Sequence, residues 1–204
     1  WSIAQYAQCY SDAIFIEDEK ENEFIISIFD KFEKAGIEIV AKDLTTDVGM
    51  PVVAAFSHDL QYPTMVPIDG FGAHLDPRVA TIRALLEIST TRALLIQKQG
   101  ISGLCGVAPL YLQHGEEEDP RFYAQHQKGI RELEVGYSID ILDDIKSMIS
   151  KLKACGLNRL IAVDLTRSDV GIPTVRIIVP GMETYCFDKA RVGERATKAL
   201  AEEL

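Results

Sequence analysis

Four polar residues lie close together in the sequence and could form a charged binding or catalytic site: Arg83, Glu87, Thr90 and Arg92. On a helix, Arg83 and Glu87 are four residues apart and share a face, while Arg92 lies about 140° around the axis from Glu87 at ~100° per residue. Taken in isolation, this spacing is more typical of an exposed ion pair, which stabilises a helix by less than about 1 kcal/mol. Spacing alone therefore leaves a functional and a structural interpretation open.

Other motifs for nucleotide, metal or nucleophile chemistry are absent or weak. No G-x-x-x-x-G-K-[ST] phosphate loop and no G-x-S-x-G nucleophile elbow occurs. Gly70-Phe71-Gly72 lacks the third glycine of a dinucleotide fingerprint, and the G-x-x-G-x-x-G run at 100–106 does not directly follow a strand-like segment. The four histidines show no metal-ligand spacing, and the acidic segment 114–119 is more typical of a mobile loop than of a cation site.

The helix that must carry the charged residues has a well-marked start. Asp76 is a suitable N-cap and Pro77 suits the first helical position, so the sequence predicts a helix from 77 to about 98. Its predicted apolar stripe is formed by Val79, Ile82, Leu86 and Ala93.

A helix–strand–turn–strand unit occurs twice, at about 22–56 and 140–179. The turn of the first copy, D-L-T followed by D-V-G, a hydrophobic residue and proline (43–51), recurs at 164–173 with one inserted residue. Aspartate and threonine side chains can accept backbone N–H groups and glycine permits a positive φ, so a structural turn is favoured over a functional loop. We expect the two units to occupy equivalent positions in one shared sheet or core, related by an approximate two-fold. The predicted fold class is α/β, with mixed sheets and helices.

Composition narrows the class of protein. The chain has 204 residues and a formal net charge of -10, which argues against nucleic acid as the main partner. The four cysteines are far apart, as expected for separately buried thiols in a reducing compartment. No apolar run has transmembrane length and no signal segment opens the chain, so a cytoplasmic protein without membrane contact is expected.

Helices are also predicted at 1–7, 122–124 and 188–204.

Several blocks of the sequence, in order, resemble the YcaO family. The run Gly70-x-Gly72-Ala73-His74-x-Asp76-Pro77, followed by Ala80, Arg83-Ala84-Leu85-x-Glu87 and Arg92, is similar to the third signature block of that family. The later segments 163–166, 169–173 and 179–183 agree as well, with Gly193 and Arg195 beyond them.

The resemblance implies an ATP- and Mg²⁺-dependent enzyme that phosphorylates a peptide-backbone amide oxygen after a nucleophile has attacked the carbonyl carbon. A side-chain nucleophile would give an azoline, and an external sulfur source a thioamide. The resemblance assigns Arg83, Glu87 and Arg92 to the nucleotide, Glu87 also to the metal, and Glu87 and Arg92 to catalysis. It also implies a peptide or protein substrate, a partner protein that supplies sulfur or substrate, and a homodimer of the full-length protein.

The family pattern suggests what else such an enzyme requires. A central block with carboxylates for Mg²⁺ normally lies just before a helix that begins with tryptophan, and this chain begins at Trp1. We therefore expect residues 1–204 to be the carboxy-terminal portion of a YcaO-like domain, missing its amino-terminal portion and inactive in isolation.

Three departures from the family pattern change the expected product. Thr90 stands where glutamine is usual, Glu194 replaces proline in a Gly-Pro-Arg segment, and the chain lacks the proline-rich end of azoline-forming members. The last departure favours thioamide formation or another amide modification. The alternative functions are a non-catalytic domain that docks a peptide or partner protein, and a scaffold without a site.

Overall fold

The computed structural model describes residues 13–17, 19–61, 68–104, 127–133, 135–182, 193–195 and 197–198. They belong to two compact units, 1–139 and 140–204. The predicted α/β class, with mixed sheets and two similar units, is confirmed. No helix among the described residues is long and apolar enough to span a membrane.

The first unit contains a five-stranded sheet in the order β4-β3-β2-β1-β5. Its strands are β1 (Ala13–Phe15), β2 (Ile37–Asp43), β3 (Val52–Asp59), β4 (Ile68–Ala73) and β5 (Gln127–Gly129). All neighbouring pairs are antiparallel except β1 and β5. Helix α1 (Glu23–Lys34) precedes β2, and helix α2 (Pro77–Leu104) follows β4. Within the described part of the chain, β4 is therefore an outer strand.

The core of this unit lies between one face of the sheet and the two helices. Helix α1 buries Ile25, Ile28 and Phe32, which lie on one face of the helix, whereas Phe24 is 60% exposed. The predicted stripe of α2 is only partly right: Ile82 packs against the core, but Leu86 is 50% exposed. The fully buried residues of this helix include Ala80, Thr81, Ala84, Leu85 and Ile88. Small residues are buried because this helix approaches the sheet closely.

Strand β4 was not predicted, since Gly70 and Gly72 give it a low strand propensity. Both residues face helix α2. A Cβ atom on Gly70 would overlap the Ala84 carbonyl oxygen, and one on Gly72 would overlap the Ala80 carbonyl oxygen. The glycine pair thus serves helix–strand packing, which a local propensity does not reveal.

The second unit contains α3 (Ile141–Ala154), β6 (Ile161–Asp164) and β7 (Val175–Ile178). Its turn repeats the hydrogen bonds of the first: Thr45 N–H donates to Asp43 Oδ1 at 2.9 Å and Thr166 N–H to Asp164 Oδ1 at 2.8 Å. Gly49 and Gly171 have φ values of 67° and 70°. These local bonds favour the structural interpretation of the repeated loop.

The sheet arrangement differs from the expectation. Among the described residues, β6 and β7 form a two-stranded sheet and the strands of the first unit form a five-stranded one, so the expected shared sheet is not found there. The alternative of a shared core stays a prediction. The reason is that β4 and β1 flank the first pair, whereas no described strand flanks the second. The approximate two-fold relation stays a prediction.

Some predicted features lie outside the described residues. These include the helices at 1–7 and 122–124, most of the one at 188–204, and three of the cysteines. The remaining cysteine, Cys155, is partly buried.

Candidate functional site

The start of α2 is fixed by the residues that the sequence singled out. Asp76 Oδ1 accepts the backbone N–H of Arg78 at 2.9 Å, which confirms Asp76 as the N-cap. The Arg78 guanidinium also binds both Asp76 oxygens, at 3.0 and 2.9 Å. These contacts fix where α2 begins.

Helix α2 then holds Glu87 and Arg83 beside the outer edge of β4. Glu87 Oε2 accepts the backbone N–H of Phe71 at 2.6 Å. One turn earlier, Arg83 Nη1 lies 3.5 Å from the carbonyl oxygen of Ala73. Both side chains belong to exposed residues. No ion pair joins Arg83 to Glu87 in the part of the chain that the structure describes, so the simple surface pair is not what this spacing produces.

Arg92 lies on a different side of the same helix. Its Nη2 atom is 2.7 Å from Asp59 Oδ2, at the end of β3. The Asp59 side chain is only 3% exposed and the Arg92 side chain 20%. Because the Asp59 carboxylate is nearly buried, loss of its cationic partner would be costly, so the contact anchors the second half of α2 to the sheet.

The four polar residues are therefore only partly brought together. Glu87 and Arg83 each contact the backbone of β4, whereas Arg92 pairs with Asp59 at the end of β3. Thr90 donates its hydroxyl to the carbonyl oxygen of Leu86, within α2, at 2.9 Å. The structure groups Glu87 with Arg83, while the role of Arg92 stays a prediction.

Asp69 is a polar residue of this region that sequence reasoning missed. It lies on β4, and it is exposed overall, but partial burial of its carboxyl group raises the pKa above the ordinary value. The negative charge of Glu87 raises the pKa further, while the backbone N–H of Asp69 itself lowers it. Two carboxylates therefore act on each other at this edge. An acidic residue just before G-x-G was the only signal in the sequence.

We expect Asp69→Asn to raise the melting temperature slightly at pH 7. With a raised pKa in the folded state, the ionised carboxylate opposes folding above that pKa. This cost shrinks as the pH falls and disappears below the ordinary pKa of 3.8, where the carboxyl is neutral in both states. The gain should therefore shrink between neutral pH and pH 4 in thermal melts. Asp30→Asn, on exposed α1 surface, controls for net charge. A gain that grows on acidification would contradict the assignment.

The family model of YcaO cyclodehydratases, described as ATP- and Mg²⁺-binding, matches residues 6–183. The chain belongs to the YcaO family. ATP and Mg²⁺, the cofactors implied by the resemblance, are thus those of the family. The match includes the described parts of both units up to residue 182, with the G-x-G strand and Glu87.

Two curated proteins are related in sequence. A protein of Methanothermobacter thermautotrophicus is 35% identical over 191 residues, which are 88% of this chain and 48% of that protein. A Rhizobium leguminosarum bv. trifolii protein from the 3′ region of tfuA is 23% identical over 84% of this chain and 43% of its own length. The chain thus spans about half the length of the curated relatives it matches.

Solved structures share the fold. The YcaO protein of Methanopyrus kandleri, determined with AMPPCP and Mg²⁺, has a TM-score of 0.71 and 25% identity, over 95% of this chain and 51% of that one. The heterocyclase TruD has a TM-score of 0.69 and 24% identity, over 95% of this chain and 29% of its own. A heterocyclase in complex with substrate and cofactor has a TM-score of 0.71 and 24% identity, over 88% of this chain and 24% of that one.

The residues at the β4 edge fit part of a Mg·ATP site. Mg²⁺ prefers carboxylate oxygens and usually retains waters, and Glu87 supplies an exposed carboxylate. The Arg83 guanidinium is suited to phosphate oxygens. The described residues contain no group of three or more His, Cys, Asp or Glu side chains arranged to hold a metal ion. These residues could therefore form only part of such a site, and their assignment to it stays a prediction.

Proposed function

We propose that the protein containing this chain uses ATP and Mg²⁺ to activate a backbone amide of a peptide or protein. The observation that carries this proposal is the position of Glu87: a carboxylate fixed through Phe71 N–H but exposed to solvent, with Arg83 on the same face. A carboxylate that served only to stabilise the surface of α2 would not need to reach the neighbouring strand β4.

The chemistry follows from the weakness of an amide oxygen as a leaving group. A nucleophile adds to the carbonyl carbon, the resulting oxyanion attacks the γ-phosphorus of ATP, ADP departs, and phosphate is then expelled with the former amide oxygen. When bound, ATP and Mg²⁺ supply the phosphoryl group and neutralise its charge. Glu87 would bind the metal, and Arg83 would stabilise charge on the phosphates. The same role for Arg92 would require its guanidinium to leave Asp59.

The products and partners belong to the same proposal. We favour thioamide over azoline formation, with a partner protein that delivers sulfur or substrate to a cytoplasmic homodimer. The native full-length protein should be incubated with ATP, Mg²⁺, sulfide and a peptide carrying oxygen-18 in its backbone carbonyls. Transfer of the label to inorganic phosphate supports amide activation, and the peptide mass distinguishes sulfur-for-oxygen exchange from loss of water.

A non-catalytic docking domain is the alternative. It would bind peptide without any nucleotide effect and would release no labelled phosphate. Because this alternative gives Glu87 no ligand, Mg·AMPPCP binding that depends on Glu87 would argue against it.

Residues 1–204 alone should hydrolyse ATP only at background rate. One exposed carboxylate beside Asp69 cannot neutralise and orient a triphosphate that in such enzymes is held through several metal ligands. Steady-state phosphate release with and without Mg²⁺ checks this, and the native full-length protein is the control. Robust Mg²⁺-dependent turnover by the chain alone would contradict the prediction.

A further inference from the structure

The outer edge of β4 presents backbone groups that do not pair with β3. The register joins Val53 to Gly72 and Ala54 to Phe71. Since the N–H of Phe71 donates to Glu87, the pair it forms with Ala54 is a non-hydrogen-bonded one. Backbone groups alternate in direction along a strand, so the N–H and C=O groups of Asp69, Phe71 and Ala73 all point away from β3.

Among the described residues, side chains and not a neighbouring strand cover this edge. The Phe71 N–H donates to Glu87, the Asp69 N–H interacts with its own carboxylate, and Arg83 lies within 3.5 Å of the Ala73 carbonyl oxygen. Edge protection by charged side chains is a common device against aggregation. Here, however, two of the covering side chains, Glu87 and Arg83, are also those that the proposed function assigns to Mg²⁺ and phosphate.

The covering contacts are of a kind that a ligand can replace. Glu87 and Arg83 are exposed, and the Arg83 contact is at the limit of hydrogen-bond length. A Mg²⁺ ion and phosphate oxygens would compete for the same carboxylate and guanidinium. When those side chains turn toward such a ligand, Phe71 N–H and Ala73 C=O lose their partners at an exposed strand edge.

We propose that the outer edge of β4 is the docking track for the extended backbone of the peptide substrate. This inference rests on the proposed function, and it places the amide to be activated beside Glu87. A peptide strand offers a carbonyl to Phe71 N–H and an N–H to Ala73 C=O, which is the complement of the exposed pair. The Phe71 ring, 42% exposed, gives an apolar contact for alternate side chains of the peptide.

The first test uses a synthetic probe, acetyl-Thr-Val-Cys-Val-Thr-amide, and its analogue with N-methyl groups on alternate residues. Binding is followed by amide chemical shifts in the native full-length protein with Mg·AMPPCP, up to ~1 mM peptide, as expected for a weak complex. The parent peptide should shift the Phe71 and Ala73 signals, and the N-methylated analogue should bind at least about tenfold more weakly. Equal binding of both peptides, or no binding of either, overturns the proposal.

Three variants separate docking at the edge from loss of the fold. Phe71→Pro removes an N–H donor that points outward and breaks no hydrogen bond to β3. Sheets tolerate proline at such edge positions, so the fold should persist while peptide affinity falls at least about tenfold. Phe71→Ala keeps the N–H and should retain most of the affinity. Glu87→Ala uncovers the edge and should strengthen peptide binding in the absence of nucleotide.

The outcomes also distinguish this inference from the proposed function. Labelled phosphate release without any difference between the two peptides would retain amide activation and reject the β4 track. Peptide affinity that is unchanged in Phe71→Pro rejects the track as well. If Phe71→Pro does not fold, the comparison of the two peptides on the unaltered protein decides.

Discussion

Replacing Glu87 with glutamine should reduce ATP-dependent amide modification by the native full-length protein by about 100- to 1,000-fold. The side-chain amide oxygen of the glutamine can still accept the Phe71 N–H, so the hydrogen bond at 2.6 Å can persist without the charge. The negative charge for Mg²⁺ is lost, and charge on the transferring phosphoryl group is the quantity being stabilised. The loss should appear mainly in kcat, because the interaction matters most in the transition state.

Stability measured on the same variant separates the two roles of Glu87. Glu87→Gln should change the free energy of unfolding by less than about 1 kcal/mol, since the site is exposed. Glu87→Ala removes the hydrogen-bond acceptor as well and should cost about 1 kcal/mol. Glu33→Gln, on α1, is a matched control for charge. An unchanged rate with a slightly lower melting temperature would assign Glu87 to the helix surface and remove it from the site.

A Cβ atom at Gly72 should destabilise the first unit by about 3 kcal/mol or more, the largest stability effect that we expect of a single methyl group. The obstacle is the Ala80 carbonyl oxygen, a backbone atom that cannot rotate away as a side chain would. Gly70→Ala should behave similarly against Ala84. For a unit of this size the melting temperature should fall on the order of 10 °C.

Phe71→Ala is the internal control for the glycine pair. It lies between the two glycines but points to the other face of β4, so its truncation should cost less than about 1.5 kcal/mol. Urea titrations of the three variants test the alternation directly. Equal losses at positions 70, 71 and 72 would show that α2 does not rest on the glycine face. Where Gly72→Ala still folds, a displaced α2 should also lower Mg·AMPPCP affinity, because it carries Glu87.

The sequence by itself determined the features that depend on neighbours within a few residues. Asp76 caps α2 through the N–H of Arg78, two residues away. The repeated turns close through Asp43 and Asp164, each bonded two residues along the chain. Family membership was likewise readable, because the blocks that carry it are short runs of fixed spacing. Such contacts form wherever the residue types occur in order, whatever surrounds them.

Only the tertiary structure decided where the charged residues of α2 go. Glu87 meets Phe71 across 16 residues and Arg92 meets Asp59 across 33, so neither partner could be chosen from helical spacing. Helical geometry did place Arg92 about 140° from Glu87. Only the position of the sheet decides that Glu87 lies at the edge of β4 and Arg92 at the end of β3. The same holds for β4, where pairing with β3 and the close approach of α2 to the two glycines outweigh their low strand propensity.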